Sequence, residues 1–136
     1  MNYLLDTDSC VEIIRNNRPY LLGRLKEQPL GSVGVSTITV AELSTGVAKS
    51  SQPATNRKAL ARFLLPLQIY SFDEKAAMRY GEVRAALERQ GTPIGSMDML
   101  IAAHTLTVGC TLVTHNKRHF EHVEGLLIDD WVDRNE

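Results

Sequence analysis

The sequence contains few cysteines, no long apolar run and no large excess of one sign of charge, and each shortage excludes a class of protein. The two cysteines, Cys10 and Cys110, do not have the spacing of a disulfide framework or a metal-binding motif. No apolar run approaches the ~20 residues that a membrane-spanning helix needs. The N-terminus lacks the basic segment and the apolar stretch of a signal peptide. A cytoplasmic protein without membrane association is therefore expected.

The overall charge is nearly balanced, with a formal net charge of −1 and a pI of about 6.4. A protein that coats nucleic acid usually carries a large excess of lysine and arginine, so this composition argues against one. An enzyme acting on nucleic acid is compatible with it, because acids in a metal site can offset basic residues around the site. The sequence also lacks a glycine-rich phosphate loop, a CxxC pair and a GxSxG motif, so none of those three chemistries is indicated.

The residues that are present predict an α/β fold. At 43% hydrophobic, the chain can bury a core without disulfides or a structural metal. Short apolar or β-branched runs predict strands at 3–5, 33–38, 68–72, 110–114 and 126–129. Helical patterns begin near Asp8, Pro19 and Thr39 and cover 57–65, 73–90 and 97–108, with a polar loop at 50–56. This alternation predicts a three-layer α/β/α sandwich with a central parallel sheet, as one domain of residues 1–136.

Local patterns predict where three of the helices begin. Asp8 or Ser9 is the expected N-cap of the first helix, since Ser9 opens a capping-box pattern. Thr39-x-x-Glu42 fits a second capping box, and Asp73 is the expected cap of the longest helix.

Acidic residues follow the predicted strands closely. Asp6 directly ends the first apolar strand, where an acid has no obvious stabilising role. Glu42 lies one turn into the helix after the second strand, and Asp98 lies in the first turn of the 97–108 helix. Asn116 follows the 110–114 strand. Ligands bind beyond the carboxyl ends of the strands in an open parallel sheet, so three acids and an amide are expected to converge there.

Such a cluster is costly without a cation. Two carboxylates about 4 Å apart repel each other by roughly 4 kcal/mol at an effective dielectric near 20. A divalent cation removes this repulsion, and oxygen ligands suit Mg²⁺ or Mn²⁺. Helix N-termini at the same edge would favour a phosphate. The pattern therefore predicts metal-dependent hydrolysis of a phosphodiester bond.

Several of these residues also have structural interpretations. Glu42 could complete its capping box, and Asp98 could interact with the helix dipole. His115 and His119 are four residues apart, a spacing that is more typical here of a solvated surface turn than of a metal site. Three further residues are expected to pack in the core: His104, Cys10 and Cys110.

Five segments resemble one known family, in order along essentially the whole chain. They are LLDTD, ITVAEL, YGEVRAALERQGTPIGSMDMLIAAH, TLVTHNKRHF and LLIDDWV. Together they resemble the PIN-domain ribonucleases, specifically the VapC toxins of bacterial toxin–antitoxin modules. The resemblance implies an α/β/α sandwich and an Mg²⁺- or Mn²⁺-dependent endonuclease that cuts RNA. A structured RNA such as tRNA is the expected substrate.

The resemblance also implies roles for the acids. Asp6 and Asp98 resemble the metal ligands, and Glu42 resembles the third acid, which holds the metal or orients the water. Many PIN domains have a fourth acid where this chain has Asn116. An amide is a weaker ligand than a carboxylate, so one strong metal site is expected rather than two.

Further residues and partners are implied in the same way. Thr7 and Thr114 resemble the hydroxyl residues beside the site, and Arg84 occupies a basic position suited to an RNA phosphate or an antitoxin carboxylate. VapC-like proteins usually form homodimers and are silenced by a VapB antitoxin, through which the complex contacts DNA. The apolar helix at 20–25 could serve such an interface or pack in the core.

Two other functions remain open from the sequence. Asp6-Thr7-Asp8 resembles the DxD motif of haloacid-dehalogenase phosphatases, with Asp6 as nucleophile, Asp8 as acid and Asp129-Asp130 as metal acids. The short chain and the late position of that acidic pair oppose this interpretation. Alternatively, the domain is a binding module whose acids serve only as helix caps.

Overall fold

A five-stranded parallel sheet lies at the centre of the computed structural model, which describes residues 2–132. The strands are β1 (Tyr3–Leu5), β2 (Val33–Ser36), β3 (Gln68–Tyr70), β4 (Thr111–Val113) and β5 (Ile128–Asp129). Their order across the sheet is β3-β2-β1-β4-β5, and every neighbouring pair is parallel. The predicted parallel sheet is therefore confirmed, with β1 in the middle.

Helices cover both faces of this sheet. They are α1 (Thr7–Arg15), α2 (Pro19–Glu27), α3 (Thr37–Lys49), α4 (Pro53–Leu64), α5 (Glu74–Gln90), α6 (Ser96–Val108) and α7 (Lys117–Phe120). Successive residues of a strand point to opposite faces, so Leu4 packs in one core cluster and Leu5 in another. The Leu5 cluster includes buried residues of α1 to α4, and the Leu4 cluster includes buried residues of α5 to α7. The predicted α/β/α sandwich is confirmed.

The starts of α1 and α3 differ from the prediction. Asp6 is the N-cap of α1, so the assignment of that cap to Asp8 or Ser9 was wrong. Ser36 is the N-cap of α3, and its Oγ accepts a hydrogen bond from the Ile38 backbone N–H at 3.0 Å. The capping box assigned to Thr39 was therefore wrong as well. In both cases a residue that ends or follows a strand caps the helix, and the strand passes into the helix without a loop.

Other predicted boundaries were confirmed or shortened. Asp73 caps α5 by accepting from the Ala76 backbone N–H at 3.0 Å. The expected loop at 50–56 is partly helical, because Pro53 begins α4 in a position where proline is favoured. All strands except β1 are shorter than their patterns predicted, and residues 37–38, predicted in a strand, begin α3 instead.

Most of the residues expected in the core are found there. His104, Cys10 and Cys110 are buried, and the two cysteines are free thiols. In α2, Leu21 is fully buried, which supports the core interpretation of this helix at that position. No helix within residues 2–132 is both long and apolar enough to cross a membrane.

Candidate active site

Three adjacent strands, β2, β1 and β4, end at the edge of the sheet where the acids were expected. Asp6 follows the middle strand, and its backbone N–H donates to the carbonyl oxygen of Val113 in β4 at 3.0 Å. Thr114 follows β4, while Ser36 ends β2 and leads into α3, which carries Glu42. The carboxyl ends of parallel strands meet at one edge, so these residues share it.

Asp6 is a buried carboxyl group at the centre of this edge, with only 4% of its surface exposed. Its Oδ1 accepts a hydrogen bond from the Ser9 backbone N–H at 2.8 Å, and the Thr114 side chain also hydrogen-bonds to it. Burial raises the pKa of Asp6, and the hydrogen bonds from Ser9 and Thr114 offset only part of this effect. The expectation that Asp6 has no stabilising role was wrong, because it caps α1. Its ionised form is poorly solvated, however, and a nearby cation would stabilise it.

Glu42 is held by a hydroxyl group from α1. The Thr7 Oγ1 donates a hydrogen bond to Oε1 of Glu42 at 2.7 Å. Oγ1 of Thr7 also lies 3.1 Å from Oγ1 of buried Thr39, whose hydroxyl can donate a hydrogen bond to Thr7. Glu42 therefore contacts α1 through Thr7, instead of capping its own helix.

The residues 114–119, which connect β4 to α7 and include part of it, supply polar groups to three of the acids. The Thr114 side chain hydrogen-bonds to Asp6. The Asn116 Nδ2 donates to Oδ2 of Asp8 at 2.9 Å. The Nδ1 of His119 lies 3.0 Å from Oδ2 of Asp98. We call residues 114–119 the acid-contacting segment.

Backbone contacts hold the acid-contacting segment in one arrangement. The Asn116 backbone N–H donates to Oγ1 of Thr114 at 3.0 Å, and the His119 backbone N–H donates to the Asn116 carbonyl oxygen at 2.9 Å. Phe120, the next residue, is buried in the core. A continuous series of hydrogen bonds therefore links Asp6 to Asp98 through this segment.

Two residues at this edge were missed as site candidates. Asp8 was interpreted as a helix cap, yet its carboxylate accepts a hydrogen bond from Asn116. His119 was assigned to a surface turn, yet it contacts Asp98. One signal in the sequence could have indicated these contacts. Asn116 and His119 are three residues apart just beyond the end of a predicted strand, so both could be expected at the edge where the acids lie.

Arg84 is not brought into contact with the acids. It is exposed on α5, where its Nε donates to Oε1 of Glu88 at 2.6 Å and its Nη1 donates to the Tyr80 hydroxyl at 2.8 Å. Both partners lie on its own helix.

The oxygen atoms at this edge suit a divalent cation that prefers oxygen ligands, but few of them can reach the same ion. Within residues 2–132, no three His, Cys, Asp or Glu side chains are close enough to hold one metal ion together. Mg²⁺ commonly takes one or two carboxylates and completes its coordination with water and substrate phosphates. Poorly solvated Asp6 and half-exposed Asp98 fit that chemistry, whereas a site with three or more protein ligands would require side-chain movement.

Of the two acids near the end of the chain, Asp129 ends β5, and its side chain contacts other residues than the acids described above. Oδ2 of Asp129 accepts from the indole N–H of buried Trp131 at 3.0 Å and forms an ion pair with Arg24 at 3.7 Å. β5 is an edge strand, separated from β1 by β4. The contacts of Asp129 are therefore with α2 and Trp131, which does not support a shared phosphatase site with Asp6.

The sequence is similar to known proteins of one family. The sequence profile of the PIN domain matches residues 3–126. The tRNA(fMet)-specific endonuclease VapC of Salmonella typhimurium is 35% identical over 131 residues, which are 96% of this chain and 98% of that protein. Ribonuclease VapC2 of Haemophilus influenzae is 39% identical over 132 residues, covering 97% of this chain and 99% of that protein.

A solved structure shows the same likeness in three dimensions. It is the VapBC2 complex of Rickettsia felis bound to a DNA fragment from its promoter. The matching chain superposes with a TM-score of 0.88 at 36% identity, covering 96% of this chain and 99% of that one.

Proposed function

Because the chain belongs to the PIN-domain family, and within it to the VapC ribonucleases, we propose that it is a metal-dependent endoribonuclease acting as a VapBC toxin. The family expected from the residues is thereby confirmed. The observation that carries the proposed chemistry is the buried, poorly solvated Asp6 at the middle strand end, with Glu42 and Asp98 on the helices that flank this edge. The match over residues 3–126 also supports a single PIN domain over 1–136.

The proposed substrate is a structured RNA such as tRNA. The Salmonella relative, which this chain matches over nearly its full length, carries tRNA(fMet) in its name. Such a substrate would be met in the cytoplasm, the location expected from the sequence.

Asp6 and Asp98 would hold the Mg²⁺ or Mn²⁺ ion, with Glu42 as the third acid. When bound, the ion would polarise a phosphoryl oxygen and lower the pKa of an attacking water molecule. The role proposed for Glu42, oriented by Thr7, is to accept a hydrogen bond from that water and keep it in place. Thr114 would keep the Asp6 carboxylate fixed on the α1 N-terminus.

The role proposed for Asn116 is to hold Asp8 in position, while Asp6 and Asp98 bind the metal. Its Nδ2 donates to the Asp8 carboxylate, a contact that an acid at position 116 could not make without being protonated. This contact supports one strong metal site rather than two.

The proposed partners are a VapB-type antitoxin and a second copy of this chain. The similar Rickettsia felis structure is a VapBC2 complex bound to promoter DNA, which supports an antitoxin partner through which DNA is contacted. Arg84 remains a candidate for contact with an RNA phosphate or an antitoxin carboxylate, because its guanidinium group is exposed.

The experiment that tests this function is cleavage of total cellular RNA by purified, antitoxin-free protein with Mg²⁺, with Mn²⁺ and with EDTA. We expect discrete cuts that require the metal and are absent for Asp98→Ala. If no RNA is cut under any of these conditions, the domain is better explained as a binding module. Turnover of a small phosphate ester through an aspartyl-phosphate would instead favour the phosphatase.

A further inference from the structure

None of the roles proposed for the site residues involves the contact between His119 and Asp98. Asp98 lies in the first turn of α6, and the N-cap of that helix, Gly95, provides no side-chain hydrogen bond. The carboxylate of Asp98 is bonded to α7 instead, through Nδ1 of His119 at 3.0 Å. A side chain from a neighbouring element therefore holds the Asp98 carboxylate.

The position of His119 is fixed from both sides. Its backbone N–H donates to the Asn116 carbonyl oxygen at 2.9 Å, and Asn116 is itself bonded to Asp8 and Thr114. On the other side, the Phe120 side chain is 1% exposed and packs in the core cluster that contains Met99, the residue after Asp98. The His119 ring thus extends from an anchored backbone toward Asp98, although 58% of its side chain is exposed.

We propose that His119 is a positioning residue, which orients Asp98 as a ligand of the divalent cation; this inference rests on the proposed function. Its Nδ1–H donates to Oδ2 of Asp98 and leaves Oδ1 available to the ion. Ligating carboxylates in metal sites are themselves held by hydrogen bonds, and loss of such a partner typically weakens metal binding about 10- to 100-fold. The bond needs a proton only on Nδ1, which both the neutral Nδ1–H tautomer and the charged ring provide.

Two other roles for His119 make different predictions. If His119 and Asp98 form only a solvent-exposed surface pair, the loss of His119 would not change the metal affinity. As a direct ligand, it would bind the ion through Nε2 while Nδ1 contacts Asp98. Oxygen-preferring ions such as Mg²⁺ make the direct-ligand role unfavourable, and the positioning role requires only the contact that is present.

The test is calorimetric titration of the antitoxin-free protein with Mn²⁺. We expect His119→Ala to bind Mn²⁺ about 10- to 100-fold more weakly than the unchanged protein. His119→Asn should restore most of the affinity, because the amide Nδ2 can occupy the place of the imidazole Nδ1. The matched control is His122→Ala, which removes another exposed histidine, one paired with Glu121 at 3.6 Å, and should bind normally.

The direct-ligand role is tested on the unchanged protein by electron paramagnetic resonance. With ¹⁵N-histidine incorporated and Mn²⁺ bound, a positioning residue gives no ¹⁵N coupling to the ion. A resolved coupling that disappears in His119→Ala would overturn the proposal in favour of ligation.

The outcomes also separate this inference from the proposed function. If Asp98→Ala loses Mn²⁺ binding while His119→Ala retains full affinity, the metal site stands and the role of His119 is wrong. If the unchanged protein binds no Mn²⁺, or Asp98→Ala binds it normally, the proposed metal site fails and the positioning role fails with it.

Discussion

At the residue scale, Asp6 combines two roles that place opposite demands on its carboxylate. As the N-cap of α1 it accepts a hydrogen bond from Ser9, which favours the ionised form. Burial disfavours the same ionised form and raises the pKa of Asp6 above its ordinary value of 3.8. In the absence of a cation, the ionised side chain therefore costs the folded protein stability at neutral pH.

Asp6→Asn should abolish RNA cleavage and raise the free energy of unfolding of the metal-free protein at pH 7. The substitution removes the poorly solvated charge, while asparagine still caps a helix well. Because the pKa of Asp6 is raised on folding, the cost of the ionised group sets in as the pH rises above 3.8. The gain should therefore shrink as the pH falls toward 3.8, which urea unfolding at several pH values would measure.

The matched variant is Asp6→Ala, which removes both the charge and the cap. It should be less stable than Asp6→Asn by about 1 kcal/mol, the usual contribution of an N-cap. Equal stability of the two variants would show that the cap contributes nothing. Full RNA cleavage by Asp6→Asn would contradict the metal assignment.

Arg84→Ala should weaken binding of RNA or of the antitoxin while leaving the free energy of unfolding nearly unchanged. Within residues 2–132, the guanidinium group hydrogen-bonds only to Tyr80 and Glu88 of its own helix, and both hydrogen bonds are exposed, so their loss leaves no buried group unpaired. Fluorescence anisotropy with a labelled RNA and with the antitoxin would measure both affinities. If neither changes, Arg84 serves only to stabilise the surface of α5.

At the element scale, a parallel sheet covered by helices on both faces was predictable, and the contacts of the helices were not. Val33 and Val35 in β2, like Leu112 in β4, belong to short apolar runs that indicate a sheet buried on both faces. The helix starts were misplaced because a capping-box pattern requires only local sequence, whereas Asp6 and Ser36 take the cap positions as a result of where their strands end.

In the candidate site, likewise, the positions of the acids were predictable and their partners were not. The edge position of Asp6, Glu42 and Asp98 follows from the strand ends and could be predicted. Their partners could not, because α7 has only four residues and no apolar period that would place His119 against α6. The roles of these residues in catalysis stay predictions.

The pairing of β2 with β3 depends on a glycine. A Cβ atom at Gly34 would lie 2.6 Å from the Gln68 carbonyl oxygen and from the Tyr70 ring, so no larger residue fits without separating the two strands. Gly34→Ala should therefore lower the free energy of unfolding by about 1–3 kcal/mol.

A matched glycine substitution serves as its control. Gly23→Ala lies in α2, where no atom of residues 2–132 comes within 4 Å of the added Cβ, and should raise the free energy of unfolding by about 0.5–1 kcal/mol. Urea unfolding of both variants would compare them directly. If Gly34→Ala is as stable as the unchanged protein, the close approach of β3 does not constrain this position.

At the scale of the whole molecule, buried His104 joins three parts of the chain. Its Nδ1 is hydrogen-bonded to the Ser36 hydroxyl at 2.7 Å, at the junction of β2 and α3. Its ring also hydrogen-bonds to the backbone of Ser71 and lies edge-on to Phe72, in the connection from β3 to α5. Because His104 belongs to α6, one neutral imidazole connects helices of both layers with the sheet.

Acid should therefore destabilise the whole fold through His104. Burial lowers the pKa of His104 below its ordinary value of 6.5, so the unfolded chain binds this proton more readily than the folded one. Its contribution to stability is complete above pH 6.5 and is lost as the pH falls toward the folded pKa.

Thermal unfolding between pH 7.5 and 5 would measure this loss. His104→Gln should show a smaller fall in melting temperature over the same range, because glutamine does not titrate. A fall of equal size in both proteins would assign the acid sensitivity to other groups.

The acid-contacting segment constrains the number of residues between β4 and α7, and not only their identities. At one end, the Thr114 backbone N–H donates to the Asp129 carbonyl oxygen at 3.1 Å in the sheet, and at the other end Phe120 is fixed in the core. An insertion or deletion between these two anchors would move Asn116 or His119 away from its acid, whatever residue was gained or lost. Variation in length should therefore be far less tolerated here than beside exposed Pro29 and Leu30, in the connection from α2 to β2.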